Sequence, residues 1–321
     1  MTDFYIASCH PDGGIYFCSE ENGNMRIRQV TPCDRPMFME LSGNRLYAVL
    51  RQPQTDENSG ILSFEIFQNG FLGKPSDGIS TRGIVGCHMT VRKSGVFVAN
   101  YLSGSVFRTP DLLVAHKGHG KNPDRQEAAH PHCTVSTPDG KYLCVADLEF
   151  DTVFVYDDEL KEVSRVKFPD GKGPRHLVFS QDGRVMYCVC ELDSTVAVLD
   201  YCDGRLKYVA SVSTLPKGFE GFNTAAAIRM VGPYLYVSNR GHNSIAAFDI
   251  SRKIPEFITT VNVGGDSPRD FNIQGDRLIC ANENSDSVTL FNMKNGIPNR
   301  IEAELKIPKP LCVIFGREHV E

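Results

Sequence analysis

The sequence predicts an all-β fold: a seven-bladed β-propeller with four-stranded blades, the last blade closed by pairing the two ends of the chain. Three observations lead there. A strand–turn–strand block recurs six times at a nearly constant period. A seventh copy is split between the two termini. No segment of 11–18 residues keeps a helical period with caps at both ends.

The six copies begin RPMFMELSGNRLYAVL at Arg35, VGCHMTVRKSGVFVAN at Val85, HPHCTVSTPDGKYLCVAD at His130, GPRHLVFSQDGRVMYCVC at Gly173, NTAAAIRMVGPYLYVSN at Asn223 and SPRDFNIQGDRLICAN at Ser267. Their turn glycines, Gly43, Gly95, Gly140, Gly183, Gly232 and Gly275, lie 52, 45, 43, 49 and 43 residues apart. A period in this range is the mark of four-stranded blades. Third strands repeat as SGSVFRT, DTVFVYD, STVAVLD, NSIAAFD and DSVTLFN, each a polar turn followed by the alternation of a half-buried strand. Polar-patterned runs such as ELKEVSRVKF and GRLKYVASVS supply outer strands. The C-terminal KPLCVIFGREHVE reads as a first strand and turn, and the N-terminal DFYIASC reads as the second strand of the same blade. Joining them closes the ring and removes two sheet edges that would otherwise invite aggregation. Residues 1–321 are therefore read as one propeller domain. The longest departure, Leu112–Ala129, is mostly polar and reads as a solvated loop.

Composition narrows the partners. The net charge of −5 and pI near 6.0 argue against a nucleic-acid or anionic-membrane surface. No apolar run approaches the ~18 residues that cross a bilayer, and the first residues carry no signal-peptide pattern. Eleven cysteines, an odd number, most of them in strand-like apolar runs, point to reduced thiols in the cytoplasm. The absence of tryptophan counts against propellers built on a Trp-Asp repeat.

In a propeller the first strand of each blade lines the central channel, so equivalent positions converge on one axis. Aligned on Pro and Gly, the position after the proline reads Met37, Cys87, His132, Arg175, Ala226, Arg269 and Leu311. The end of the second strand reads Arg51, Tyr101, Leu148, Glu191, Arg240 and Glu283, preceded by Asn100, Asp147, Asn239 and Asn282 in four blades. His132, Arg175, Glu191, Arg240, Arg269 and Glu283 thus face a common centre. Salt bridges bracing the channel are the structural reading of these residues, since buried charges need partners whatever their role. Polar groups converging from several blades favour a binding site, and the excess of cations suits a small anionic ligand.

The blocks resemble the seven-bladed propeller lactonases, the group that includes bacterial 6-phosphogluconolactonase and the fungal carboxy-muconate lactonising enzymes. The resemblance spans nearly the whole chain and is densest in RQEAAHPHCTVSTPDGKYLCVADLEFD, GKGPRHLVFSQDGRVMYCVCELDSTVAVLDY, LYVSNRGHNSIAAFDI and SPRDFNIQGDRLICANENSDSVTLFNM. It implies active-site roles for His132 of H-x-H, Arg175 of GPRH, Glu191 of EL-x-S-T-V and Arg240 of SNRGH. The stretches GIVGCHMTVRKSG and HKGHGKNPDRQ depart from the pattern.

Opening a lactone needs water activated against the carbonyl and an oxyanion stabilised by cations or N–H donors. On this resemblance Arg175 or Arg240 holds the oxyanion, and Glu191 or His132 is the general base. Arg269 or Arg240, with His176 or His242, would bind a phosphate or carboxylate of the substrate, Glu283 lying alongside. The implied activity is a sugar-lactone hydrolase, 6-phosphogluconolactonase of the pentose phosphate pathway first. A carboxy-muconate cycloisomerase and a non-catalytic binding propeller are the alternatives. No cofactor is expected. His116, His119, His130 and His132 cluster in sequence but match no recognisable metal spacing, and the glycines of GKGP and GGDSP lack the strand-to-helix context of a nucleotide loop.

Overall fold

The computed structural model describes residues 2–52 and 57–316. These residues form seven antiparallel sheets and no helix, so nothing among them resembles a membrane-spanning helix. Each sheet is a blade, and in all but the closing blade the strands follow one another in the chain. Blade 4 is representative, with Pro174–Phe179 innermost, then Val185–Cys190, Thr195–Cys202 and Arg205–Ser213. The inner strands of the other continuous blades are Pro36–Ser42, Gly86–Arg92, Pro131–Ser136, Thr224–Val231 and Pro268–Gln274. The closing blade is assembled as the sequence predicts. Pro310–Phe315 is its inner strand and pairs with Thr2–Ser8, Phe4 opposite Phe315 and Ile6 opposite Val313. The end of the closing segment, residues 317–321, lies outside the described residues.

The inner strands touch in cyclic order, ending with Pro310–Phe315 against Pro36–Ser42. Seven apolar cores hold the ring, one at each interface between neighbouring blades. Their residues come from opposite faces of adjacent sheets, as the period-2 alternation requires. The turn between first and second strands needs left-handed backbone at Gly183 (φ 71°) and Gly275 (φ 58°), which explains the repeating glycine.

One expectation is corrected. Leu112–Ala129 is not a loop throughout: Leu112–Ala115 is the outer strand of blade 2, and the irregular part is confined to the residues after Ala115. In blade 1 the outer strand is broken in two, Leu72–Pro75 and Ile79–Ser80, both pairing with Gly60–Ile66.

A feature shared by all seven inner strands positions the site. Each carries a β-bulge at its start. In blades 1, 2, 3, 4, 6 and the closing blade the extra, unpaired residue is Met37, Cys87, His132, Arg175, Arg269 and Leu311. In blade 5 the bulge spans Ala226 and Ala227. A bulge bends the strand and re-aims one side chain. The column found by aligning prolines is thus a ring of bulges.

Candidate active site

Glu191 lies at the centre of the mouth formed by the starts of the inner strands. It follows the second strand of blade 4, where its N–H donates to Gly173 O at 2.7 Å. Arg175 Nε donates to Glu191 Oε2 at 2.8 Å, and Arg240 Nη2 lies 2.9 Å from the same oxygen. The other oxygen, Oε1, accepts from Arg125 Nη2 at 2.6 Å. One carboxylate therefore meets three guanidiniums, from blade 4, blade 5 and the loop after Leu112–Ala115. Arg175 is 2% exposed and Glu191 5%, so these charges are removed from water and must compensate each other.

Burial pushes the Glu191 carboxyl up, but the Arg240 and Arg175 charges beside it overrule that and hold it well below its ordinary range. It is ionised at neutral pH. The Arg175 guanidinium is drawn down to about 9 by burial and by Arg240, and stays charged at neutral pH. Its Nη1 donates to Ala226 O at 2.8 Å and approaches His176 Nε2 at 3.1 Å, where that nitrogen must accept.

His132 packs edge-on to Tyr101 and His176, ring centroids 5.6 and 5.3 Å away. Burial, followed by the Arg175 charge, holds its imidazole well below its ordinary pKa, so the ring is neutral. Its buried Nδ1 has no hydrogen-bond partner among the described residues, and neither has Arg240 Nε. Unpaired buried donors and acceptors are costly to a fold. His132 feels the Arg175, Glu191 and Arg240 charges, so both atoms belong to the surroundings of the three-arginine cluster.

The other expected residues are distributed differently. Arg269 and Glu283 pair with each other at 3.2 Å on blade 6, both mostly buried, and the Arg269 charge is felt by Glu191, Arg175 and His132. His176 lies beneath Arg175, buried, in line with His88 and Phe38. His242 is turned away, bonded to Ser244 Oγ at 2.7 Å and packed edge-on to Phe219. The four clustered histidines do not converge: His116 bonds Asp147 and Tyr156, His119 is exposed, and His130 stacks on Tyr101 at 4.2 Å. No group of three or more metal-ligating side chains comes together among the described residues.

Sequence reasoning missed Arg125. Its loop is pinned by the buried His116–Asp147 pair and by Gln126 Nε2 donating to Leu148 O at 2.8 Å. A signal existed, since the family-like segment RQEAAHPH opens on this arginine.

A ring of seven blades with this cluster at its mouth matches a family model described as Lactonase, 7-bladed beta-propeller, over residues 3–315. The chain belongs to this lactonase family. An uncharacterized Staphylococcus aureus protein is 34% identical to this lactonase over 98% of the chain and 100% of its own length. A periplasmic gluconolactonase from Pseudomonas aeruginosa superposes with a TM-score of 0.87 at 25% identity, covering 98% of each chain. A Bacteroides fragilis protein provisionally described as a 6-phosphogluconolactonase gives 0.88, also at 25% identity and 98% of each chain.

Proposed function

We propose that this lactonase hydrolyses a small sugar-derived lactone, 6-phosphogluconolactone first among them, with His132 as general base and Arg240 and Arg175 as oxyanion donors. One observation carries the reading: a neutral, buried imidazole with an unpartnered nitrogen beside a guanidinium with an unpartnered Nε. Glu191, ionised and saturated by three guanidiniums, is a weak base. Its part is to position Arg175 and Arg240.

In this reading His132 takes a proton from water as the hydroxide adds to the lactone carbonyl carbon. The arginines hold the oxygen that becomes negative, where preorganised donors act most strongly. The tetrahedral intermediate collapses, the ring C–O bond breaks, and the departing alkoxide takes the proton back from His132. The product is the open hydroxy acid. The cycloisomerase alternative needs a group that protonates carbon, and neither a neutral imidazole nor an ionised Glu191 carries that proton at neutral pH. Arg269, on blade 6 beside the cluster, supplies the contact for a phosphate or carboxylate of the substrate, which suits its planar donors.

The test is a pH-stat comparison of phosphorylated and unphosphorylated δ-lactones. Turnover is expected with both and a lower KM for the phosphorylated one. Because burial lowers the His132 pKa, its basic form persists as pH falls past 6.5. The kcat profile should therefore stay flat through 6.5 and drop only in more acid solution; near-wild-type turnover in His132→Asn would overturn the assignment. A cytoplasmic location also belongs to this proposal, supported by eleven unpaired cysteines and checked by cell fractionation.

A further inference from the structure

A cavity of about 420 Å³ opens at the other mouth of the channel, where the inner strands end. Its lining includes Phe38, Met39 and Glu40 of blade 1, Met89 and Thr90 of blade 2, and Ile314 of the closing blade. A layer of rings separates it from the lactone site. Phe38 stacks on His88 at 3.9 Å, His88 meets His176 edge-on at 5.2 Å, and His176 meets His132. The two mouths are chemically distinct chambers.

The polar groups around this cavity are nearly all committed. Arg229 gives Nη2 to Asp270 at 2.6 Å and Nη1 to Ile228 O at 2.9 Å. Asp270 accepts in turn from Val313 N–H at 2.9 Å. Thr90 Oγ1 donates to Thr134 O at 2.6 Å, and His88 faces Cys133 and Thr134 N. Asn272 donates to Val313 O. These bonds saturate the free edges of neighbouring inner strands, as buried backbone groups require. Glu40 does half of the same work: Oε1 accepts Val91 N–H at 3.1 Å. Among the described residues its second oxygen has no ion pair or bond, and no basic side chain is paired with it.

The remaining Glu40 oxygen thus faces the cavity without a bonded side chain, and the Arg229 guanidinium that also lines the chamber is held by Asp270. Walls of Phe38, Leu41 and Ile314 suit a compact apolar body, and the volume is that of an ordinary small-molecule pocket. We propose that this second chamber binds a small organic ammonium ion, its charged nitrogen on Glu40 and its apolar body against those walls. The site is separate from the lactone chemistry and independent of the reading given to it.

Burial raises the Glu40 carboxyl to about 7, and a bound cation would pull it back down. The other titratable groups lining or bordering the chamber are His88, Cys312 and the Arg229–Asp270 pair. His88 is held neutral, down to about 3, by burial and then by Arg229, and burial pushes the Cys312 thiol up. Binding of a cation is therefore expected to strengthen as pH rises through about 7 and Glu40 ionises.

The test uses the full-length protein with benzylamine and its neutral analogue benzyl alcohol, titrated by calorimetry above that pH. Benzylamine is expected to bind saturably, about 10- to 100-fold tighter than the alcohol, the range of a charge-assisted hydrogen bond. Glu40→Gln keeps an acceptor for Val91 N–H, should abolish the preference, and should leave lactone turnover unchanged. Leu41→Trp, which fills the chamber from its rim, should abolish binding of both probes. Equal binding of the two probes, no saturable binding by wild type, or an amine preference surviving in Glu40→Gln would each sink the proposal. If Glu40→Gln does not fold, the pH series on wild type and the Leu41→Trp titration decide it alone.

Discussion

The two halves of the mouth that holds Glu191 share a backbone and differ in their side chains. On the side of the closing blade and blades 1 and 2 the bulged residues are Leu311, Met37 and Cys87, buried in one apolar core. Cys9 Sγ and Met37 Sδ meet there at 3.5 Å. On the side of blades 3 and 4 the same bulges present His132 and Arg175, and blade 5 adds Arg240. The bulge is thus a property of the scaffold, and the chemistry is a choice of side chain at a position the ring presents seven times. The charged half carries the unsatisfied atoms His132 Nδ1 and Arg240 Nε, whereas the apolar half is closed on itself. A lactone would lie with its carbonyl toward the first and its carbon skeleton toward the second.

Substitutions that break this asymmetry should rank accordingly. On the proposed mechanism Arg240→Ala removes an oxyanion donor and should lower kcat about 10²- to 10³-fold in a lactone assay. A loss of less than tenfold would move the oxyanion elsewhere. Glu191→Ala leaves Arg175 buried without its carboxylate, a change that costs about 3–5 kcal/mol. Urea unfolding should show that loss, and an unchanged midpoint would mean that the arginines do not depend on Glu191. Arg125→Ala breaks a contact whose arginine is 39% exposed, so the loss in unfolding free energy should not exceed about 1 kcal/mol. A larger one would make the loop a structural part of the charged half. On the apolar side, Met37→Leu conserves volume and should cost under about 1.5 kcal/mol with kcat unchanged. A marked fall in kcat there would show that the apolar half does more than contact carbon.

Much of this arrangement was legible in the sequence, and the reason is geometric. Proline and glycine mark the ends of the inner strand, so aligning them aligns the bulges, and Met37 through Leu311 fall into one column without knowledge of the third dimension. Glu191 and Arg240 join them because each sits where the second strand meets the mouth. His242 was misplaced because it lies two residues beyond Arg240, where the chain has already turned toward Ser244. Arg125 was invisible to the alignment because it belongs to no repeat, and only folding of an irregular loop carries it to a carboxylate 66 residues away. The chamber around Glu40 escaped for another reason. Its residues come from the far ends of the inner strands, where the copies differ most and no column of charge stands out.

The pairing of Thr2–Ser8 with Pro310–Phe315 also sets a timetable for biosynthesis. Until residue 315 has cleared the ribosome, Thr2–Ser8 has one flank bare. Phe4 and Ile6, wholly buried once the ring is shut, spend that interval without Phe315 and Val313 against them. Translation that stalls before Pro310–Phe315 therefore leaves that flank as an adhesive seam for quality-control proteases to act on.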